Sequence, residues 1–146
     1  MVSNEQINVN KRNGRGLEAL NIDKIHSMVG FATEGITGVS ASHVEMNSGI
    51  QFFDKISTED IQQILIKSAN DLISLENPNY QYVAARLLLF SLRKKLHHRL
   101  WEHPKFIDHI KKIVDLGLYD KGILENYTEA EIDRMGMWID HERDYS

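Results

Sequence analysis

The chain has 146 residues, 42% hydrophobic and 26% charged, which is typical of one globular domain or of one domain with an appendage. No apolar run is long enough to cross a membrane and the polar N-terminus lacks a secretory signal, so we expect a cytoplasmic protein with no membrane partner. The formal net charge of -4 disfavours a nucleic-acid partner. Cysteine is absent, which excludes disulfides, thiolate zinc sites and thiol redox chemistry within this chain.

The chain opens with a predicted β-hairpin. Apolar and polar residues alternate from Ile7 to Arg12, and Leu17 to Leu20 forms a second short run. Asn13 and Gly14 between them tolerate the positive φ angles of a tight hairpin turn. After the hairpin the apolar spacing changes from two residues to about 3.6, which predicts helices.

Four helices are predicted between the hairpin and residue 99. Their limits follow capping and breaking residues: Asn21 or Asp23 to near Gly35, a second from Ser40 or Ser42, a third from Ser57 or Thr58, and a fourth from Tyr80 to Arg99 after Pro78. The positions predicted to face the core are Ile25, Met28, Val29 and Ala32; Val44, Met46 and Ile50; Ile61, Ile64, Leu65, Ala69, Leu72 and Ile73; and Val83, Leu87, Phe90 and Leu96. Leu88 and Leu89 widen the stripe of the fourth helix, which predicts burial on two sides.

Beyond residue 99 two further helices are predicted. Pro104 opens one that ends at Gly117, with Ile107, Ile110, Ile113 and Val114 inward. Thr128 and Glu131 fit a capping box that begins the last one. From Asp120 onward eight acidic residues stand against three Lys or Arg, and the sequence stops shortly after Asp144 without a helix terminator, as in a chain cut short rather than finished.

Two basic clusters are the strongest candidates for a binding site. One consists of Lys11, Arg12 and Arg15 in the hairpin, and the other of Arg93, Lys94, Lys95 and Arg99 near the end of the fourth helix. If the hairpin packs near that helix end, the clusters would converge on a polyanion such as a triphosphate. Cations at a helix C-terminus also complement the helix dipole and face solvent, and the pattern alone favours this second interpretation.

The histidines and the short motifs add little. His97 and His98 are neighbours whose side chains would point different ways on a helix, which favours a surface or structural role for them and for His103 over a metal site. His141 and Glu142 lack the second histidine of a zinc protease helix. Phosphate-binding loops, dinucleotide fingerprints and serine-hydrolase motifs are absent from the sequence. The residue pattern alone predicts a small α+β domain with a candidate anion site.

Several segments together resemble an ATP-cone domain. They are Val9 to Gly14, Asn21 to Ile25, Ser57 to Ile61, Pro78 to Arg86 and Leu92 to Lys95. The resemblance continues through Phe106 to Ile110 and His141 to Asp144, and so covers essentially the whole chain. The chain resembles the N-terminus of class I ribonucleotide reductase large (alpha) subunits of the enterobacterial or large-bacteriophage type.

The resemblance implies an α+β, mostly α-helical fold. An N-terminal β-hairpin would pack on a four-helix ATP-cone within residues 1–99, and residues 100–146 would begin the reductase helical domain. In this family the cone is a switch: ATP keeps the reductase active, and dATP inhibits many members by changing how the large and small subunits assemble. The implied partners are the remainder of the large subunit, the small (beta) subunit and further copies of the chain, and Mg²⁺ would accompany the nucleotide.

The resemblance also implies the site residues. Lys11 and Lys94 would bind phosphates with Arg12 and Thr58 nearby, whereas the base and ribose would lie against Glu18, Asn21, Lys24 and Ile25. Val9 and Gln62 complete the implied nucleotide site. Gln62 is a departure, because inhibited relatives have a histidine there, and glutamine can form hydrogen bonds but cannot become cationic. A second departure is one extra residue in the hairpin, around Arg15 to Leu17.

The family's reduction of ribonucleotides, which supplies deoxyribonucleotides for DNA synthesis, uses cysteines that this chain lacks. The chain alone should therefore be catalytically inactive, as a shortened subunit or one product of a split gene. Two alternatives are a free-standing cone regulator, whose zinc ribbon is missing here, and a helical interaction module whose cone no longer binds nucleotide.

Overall fold

The computed structural model describes residues 7–11, 16–49, 51–97 and 103–145, which form a mostly helical α+β chain. The strands and helices in chain order are β1 (Asn8–Asn10), β2 (Leu17–Ala19), α1 (Ile22–Thr33), α2 (Ala41–Gly49), β3 (Ile56–Ser57), α3 (Thr58–Asp71), α4 (Tyr80–His97), α5 (Phe106–Asp115), α6 (Gly122–Asn126), α7 (Glu129–Gly136) and a 3₁₀ helix (His141–Tyr145). The chain divides into two compact units, residues 1–92 and 93–146. The predicted fold class is confirmed.

A three-stranded sheet in the order β2-β1-β3 forms part of the first unit. β1 and β2 pair antiparallel, which confirms the predicted hairpin, although its turn residues Asn13 and Gly14 lie outside the described residues. β3 pairs parallel to β1 and was not predicted, because two residues are too short to show an alternating pattern.

The predicted beginnings of α1 and α3 are confirmed by their caps. Asn21 Oδ1 accepts a hydrogen bond from the backbone N–H of Lys24, and Ser57 Oγ accepts one from Asp60 N. α1 buries its four predicted core residues, and α3 buries Ile61, Leu65 and Ala69. Ile73 is exposed, contrary to prediction, because α3 ends at Asp71 and the apolar face stops with it.

Three other positions that were predicted to be buried, in α2 and α4, are exposed. In α2 Val44 is buried, but Met46 lies two residues further on, on the opposite side of the helix, and is 71% exposed. Ser48, one turn after Val44, takes the core position instead, and Ile50 lies outside the described residues. α4 buries Val83, Leu87 and Phe90, whereas Leu88 and Leu96 are exposed, so the predicted burial of α4 on two sides is also wrong.

The core of the second unit consists of Ile107 and Ile110 from α5 and Ile132 from α7. The predicted capping box is present, since Thr128 Oγ1 accepts from Glu131 N and the Glu131 carboxylate accepts from Thr128 N. The approach of α7 to α5 requires a glycine, because a Cβ at Gly136 would lie 2.5 Å from the Cβ of Phe106. α6 was not predicted. In the part of the chain that the structure describes, no helix is both long and apolar enough to span a bilayer.

Candidate functional site

The sheet brings Lys11 next to the beginning of α3. In the parallel pair of β1 and β3, Asn10 lies opposite Ser57. Lys11 follows Asn10 and Thr58 follows Ser57, so both residues leave the sheet at the same edge. Two segments far apart in sequence thus place a lysine beside the first turn of a fourteen-residue helix.

The first turn of α3 contains groups that attract an anion and groups that repel it. Helix N-termini present unpaired N–H groups and the positive end of the helix dipole. Here Ser57 Oγ accepts from Asp60 N at 2.9 Å and donates to Asp60 Oδ2 at 2.6 Å, and Glu59 adds a second carboxylate. Two acidic side chains oppose a polyanion at this turn, so the cation of Lys11 is needed for a phosphate site.

One face of the sheet carries both core and candidate site residues. Val9 lies opposite Glu18 in β2 and opposite Ile56 in β3, and residues paired in this way project to the same face. Val9 and Ile56 are buried, so the helices cover this face, whereas Leu17 on the other face is 58% exposed. Lys11, two residues after Val9, continues the covered face and lies at its rim with Glu18.

Glu18 joins two lysines at this rim. Its Oε2 forms an ion pair with Lys11 Nζ, and its Oε1 lies 3.4 Å from Lys24 Nζ. The hydrogen bond from Lys11 lowers the pKa of the Glu18 carboxyl below its usual value, and the positive charges of Lys11 and Lys24 add to the effect. The cluster of Lys11, Glu18 and Lys24, here called the rim cluster, therefore holds an ionised carboxylate between two lysines and is open to solvent.

The first turn of α1 supplies Asn21, Lys24 and Ile25. The Oδ1 atom of Asn21 caps the helix by accepting from Lys24 N at 3.1 Å. Ile25 is 7% exposed and belongs mainly to the core. Of these three side chains, Lys24 is the one that the structure joins to the rim cluster.

Gln62 lies one turn after Thr58 in α3, and so on the same side of that helix. Thr58 is partly buried, and Gln62 is 3% exposed among the core residues Ile61 and Leu65. The buried amide lies one helical turn from the edge where Lys11 leaves the sheet.

Asp54 and Lys55 hold the start of β3 against β1, and sequence reasoning missed both. Asp54 Oδ1 accepts from Asn8 N at 2.9 Å and from Asn8 Nδ2 at 3.1 Å, and Lys55 N donates to Asn8 O at 2.8 Å. The bonds from Asn8 lower the pKa of the Asp54 carboxyl. Lys55 has a φ of +64°, which is uncommon for a residue other than glycine. No periodic pattern marks this turn, yet it sets the register that brings Lys11 beside Thr58.

Comparison with protein families gives a match to the ATP cone domain over residues 7–95, more than half of the chain. The chain belongs to the ATP-cone family. The match covers the sheet, the helices α1 to α3 and almost all of α4, and it confirms the resemblance found in the sequence.

This chain has reductase subunits among its curated relatives. It is 49% identical over 141 residues to ribonucleoside-diphosphate reductase 1 subunit alpha of Escherichia coli K12, covering 97% of this chain and 18% of the relative. It is 41% identical over 138 residues to ribonucleoside-diphosphate reductase subunit alpha of Enterobacteria phage T4, covering 94% and 18%. The chain thus spans less than a fifth of the length of the relatives it matches.

Arg12 and Lys94 are the other two basic residues that the resemblance implies for the phosphates. Arg12 lies outside the described residues. Lys94 is partly buried in the last turn of α4 and belongs to the second unit, whereas Lys11 belongs to the first. The role of each as a phosphate ligand stays a prediction.

The histidines that follow the cone contact one another. The ring of His103 stacks on that of His141 with centroids 3.7 Å apart, and His97 meets His109 edge to face at 5.9 Å. Burial lowers the pKa of His97, and the positive charges nearby add to the effect. Among the described residues, no three His, Asp or Glu side chains are grouped to hold a metal ion.

Proposed function

We propose that this chain is the regulatory N-terminal part of a ribonucleoside-diphosphate reductase large subunit, and that its cone binds ATP or dATP as an allosteric effector. The observation that carries the proposal is the position of Lys11 at one sheet edge with Thr58, in a cone whose curated relatives are reductase alpha subunits. The complete cytoplasmic enzyme would make deoxyribonucleotides with catalytic residues outside this chain. Its partners would be the remainder of the large subunit, the beta subunit and further copies of itself.

The phosphates would lie at the edge where β1 and β3 end. Lys11 supplies a charge there, and the backbone N–H and the hydroxyl of Thr58 supply hydrogen-bond donors. Arg12 and Lys94 are the further cations that the family resemblance implies for the phosphates. Mg²⁺ would bind mainly through phosphate oxygens, since this ion keeps water and phosphate ligands where proteins offer few carboxylates.

The ribose and base would lie toward β2 and α1. The ionised Glu18 carboxylate accepts hydrogen bonds but cannot donate them, so it suits hydroxyl or amino groups of the nucleoside rather than phosphate. Asn21 and Lys24 add polar groups from the first turn of α1, while Val9 and Ile25 would meet the nucleoside only with the small part of each side chain that is exposed. These groups would therefore hold the nucleoside of a nucleotide whose triphosphate lies near Lys11.

The first prediction tests the phosphate site. Replacing Lys11 or Lys94 by Ala should weaken ATP binding by about 1.5–3 kcal/mol, the scale of a charge-assisted hydrogen bond. Calorimetry with ATP and dATP on the 146-residue chain measures the loss. Lys95→Ala is the matched control, because Lys95 is an exposed neighbour in the same helix. Parental affinity in both test variants would show that the site assignment is wrong.

A second candidate function is a helical interaction module without nucleotide binding. The exposed side chains of Met137 and Trp138, 79% and 78% accessible, favour it, because exposed aromatic surface is typical of interaction sites. The same calorimetry distinguishes the two candidates, since a folded chain that binds neither ATP nor dATP would support the module.

The second prediction concerns Gln62 and regulation. A switch must bind an effector differently in its two states, and ATP differs from dATP by one 2'-hydroxyl. Gln62 stands where inhibited relatives of the family have a histidine, and an amide cannot become cationic. We expect the cone to bind both nucleotides, with dATP inhibiting the assembled reductase weakly or not at all.

The test is a dATP titration of complete large and small subunits with the specificity site saturated by another effector. Gln62→His should introduce or strengthen inhibition at high dATP. Strong inhibition of the native enzyme that Gln62→His leaves unchanged would contradict the expectation, and would mean that glutamine makes the same hydrogen bond as histidine.

A further inference from the structure

The Lys11 ammonium group is already engaged in the rim cluster. Glu18 forms an ion pair with it through one carboxylate oxygen, while the other oxygen lies 3.4 Å from Lys24 Nζ. A carboxylate between two ammonium groups offers them the same type of acceptor as a phosphate oxygen does. A phosphate that reaches Lys11 must therefore compete with Glu18.

The register of the hairpin keeps Glu18 close to Lys11. Glu18 is held opposite Val9, and Lys11 lies two residues after Val9 on the same face. The backbone bond from Lys11 N to Gly16 O, at 3.2 Å, fixes the strands at that point. The carboxylate and the ammonium group are thus kept within reach of each other by the sheet itself.

A triphosphate at Lys11 would also lie close to the negative charge of Glu18. Solvent reaches both side chains, with 37% of Lys11 and 45% of Glu18 exposed, so it weakens their interaction without removing it. Glu18 must turn away from Lys11 for the phosphate to enter, and both the lost pair and the remaining repulsion reduce affinity.

We propose that Glu18 is an internal counter-ion that occupies the phosphate position at Lys11 in the nucleotide-free cone and is displaced when phosphate binds. The inference rests on the proposed function and deepens it, because it assigns Glu18 a role opposed to phosphate binding. A role confined to the ribose would give the opposite result for the complete nucleotide, since loss of the carboxylate would then weaken binding.

The experiment compares the 146-residue chain with Glu18→Gln, using inorganic tripolyphosphate and ATP as probes in calorimetry. Glutamine keeps the shape and removes the charge. We expect tripolyphosphate to bind Glu18→Gln about twofold to fivefold more tightly than the parent, the range of an exposed ion pair. The difference should shrink as the salt concentration rises.

Glu76→Gln is the matched control. It makes the same change in net charge in the exposed loop after α3, and the fourteen residues of that helix separate the loop from Thr58 by about 20 Å. The control should leave tripolyphosphate affinity at the parental value, and circular dichroism checks that all three proteins are folded.

A tripolyphosphate affinity that is unchanged or reduced by Glu18→Gln, or absent in both proteins, overturns the inference. The proposed function is judged separately by ATP binding to the parent. If the parent binds ATP while Glu18→Gln gains nothing for tripolyphosphate, only the counter-ion role fails. If the parent does not bind ATP but Glu18→Gln binds tripolyphosphate, the counter-ion role stands and the nucleotide function fails.

Discussion

The two units of the chain differ in the size of their hydrophobic cores. The first unit buries residues from its sheet and from four helices, among them Val9, Ile56, Leu65 and Phe90. The core of the second unit rests on three isoleucines, with partly buried side chains around them. Small units bury a smaller fraction of their surface and are less stable. The rim cluster, whose geometry depends on the register of the strands, lies in the unit with the larger core.

The largest expected effects test this difference in core size. Phe90→Ala in the first unit should cost about 3–5 kcal/mol and Ile132→Ala in the second about 2–5 kcal/mol, because each removes a fully buried side chain. Hydrogen exchange followed residue by residue assigns each loss to its unit. Phe53→Ala and Ile139→Ala are the matched controls, since these side chains are 58% and 44% exposed.

The comparison predicts different responses of the two units. Ile132→Ala should abolish protection throughout α5 and α7, because few other buried contacts remain there, whereas Phe90→Ala should weaken the first unit without unfolding it. Equal loss of protection in both units from either substitution would show that they fold as one cooperative body.

A smaller effect is expected at the beginning of α7. Thr128→Ala should destabilise the chain by about 1 kcal/mol, the usual value of an N-cap. The reason is that Thr128 Oγ1 accepts from Glu131 N while the Glu131 carboxylate accepts from Thr128 N. Urea unfolding measures the change. Thr128→Ser should retain most of the stability, and an equal loss in both variants would argue against the cap as the cause.

The smallest expected effect is the pH dependence of the same cap. The hydrogen bond from Thr128 N lowers the pKa of the Glu131 carboxyl below 4.5 in the folded chain. Because the pKa is lower in the folded chain, the ionised Glu131 carboxylate stabilises the fold fully above pH 4.5. This stabilisation is lost as the pH falls through the folded-state pKa. Unfolding of the parent and of Glu131→Gln between pH 7 and pH 3 should therefore converge at the acidic end. Parallel curves over the whole range would contradict this.

Local chemistry explains why much of the fold could be predicted. Asn21, Ser57 and Thr128 each cap the helix that was expected to follow, because a side-chain oxygen can satisfy an N–H group two or three residues ahead whatever the rest of the chain does. Positive φ angles at Gly35 and Gly117 follow the ends of α1 and α5 for an equally local reason.

The contacts within the candidate site could not be predicted from local sequence. The resemblance named Lys11, Glu18 and Lys24, but their joining in one cluster depends on hairpin register and on the position of α1. The parallel pairing of β3 depends on Asp54 and Lys55, which hold Asn8 from 46 or more residues away and belong to no periodic pattern.

The sequence by itself determined the helices other than α6, the caps of α1, α3 and α7, the hairpin and the family, because these follow from neighbouring residues and from motifs. The tertiary structure alone decided that Met46 and Leu88 face solvent, that Lys11 leaves the sheet beside Thr58, and that Glu18 neutralises the Lys11 charge. Contacts between distant segments depend on which faces pack and in which register, and no single segment contains that information.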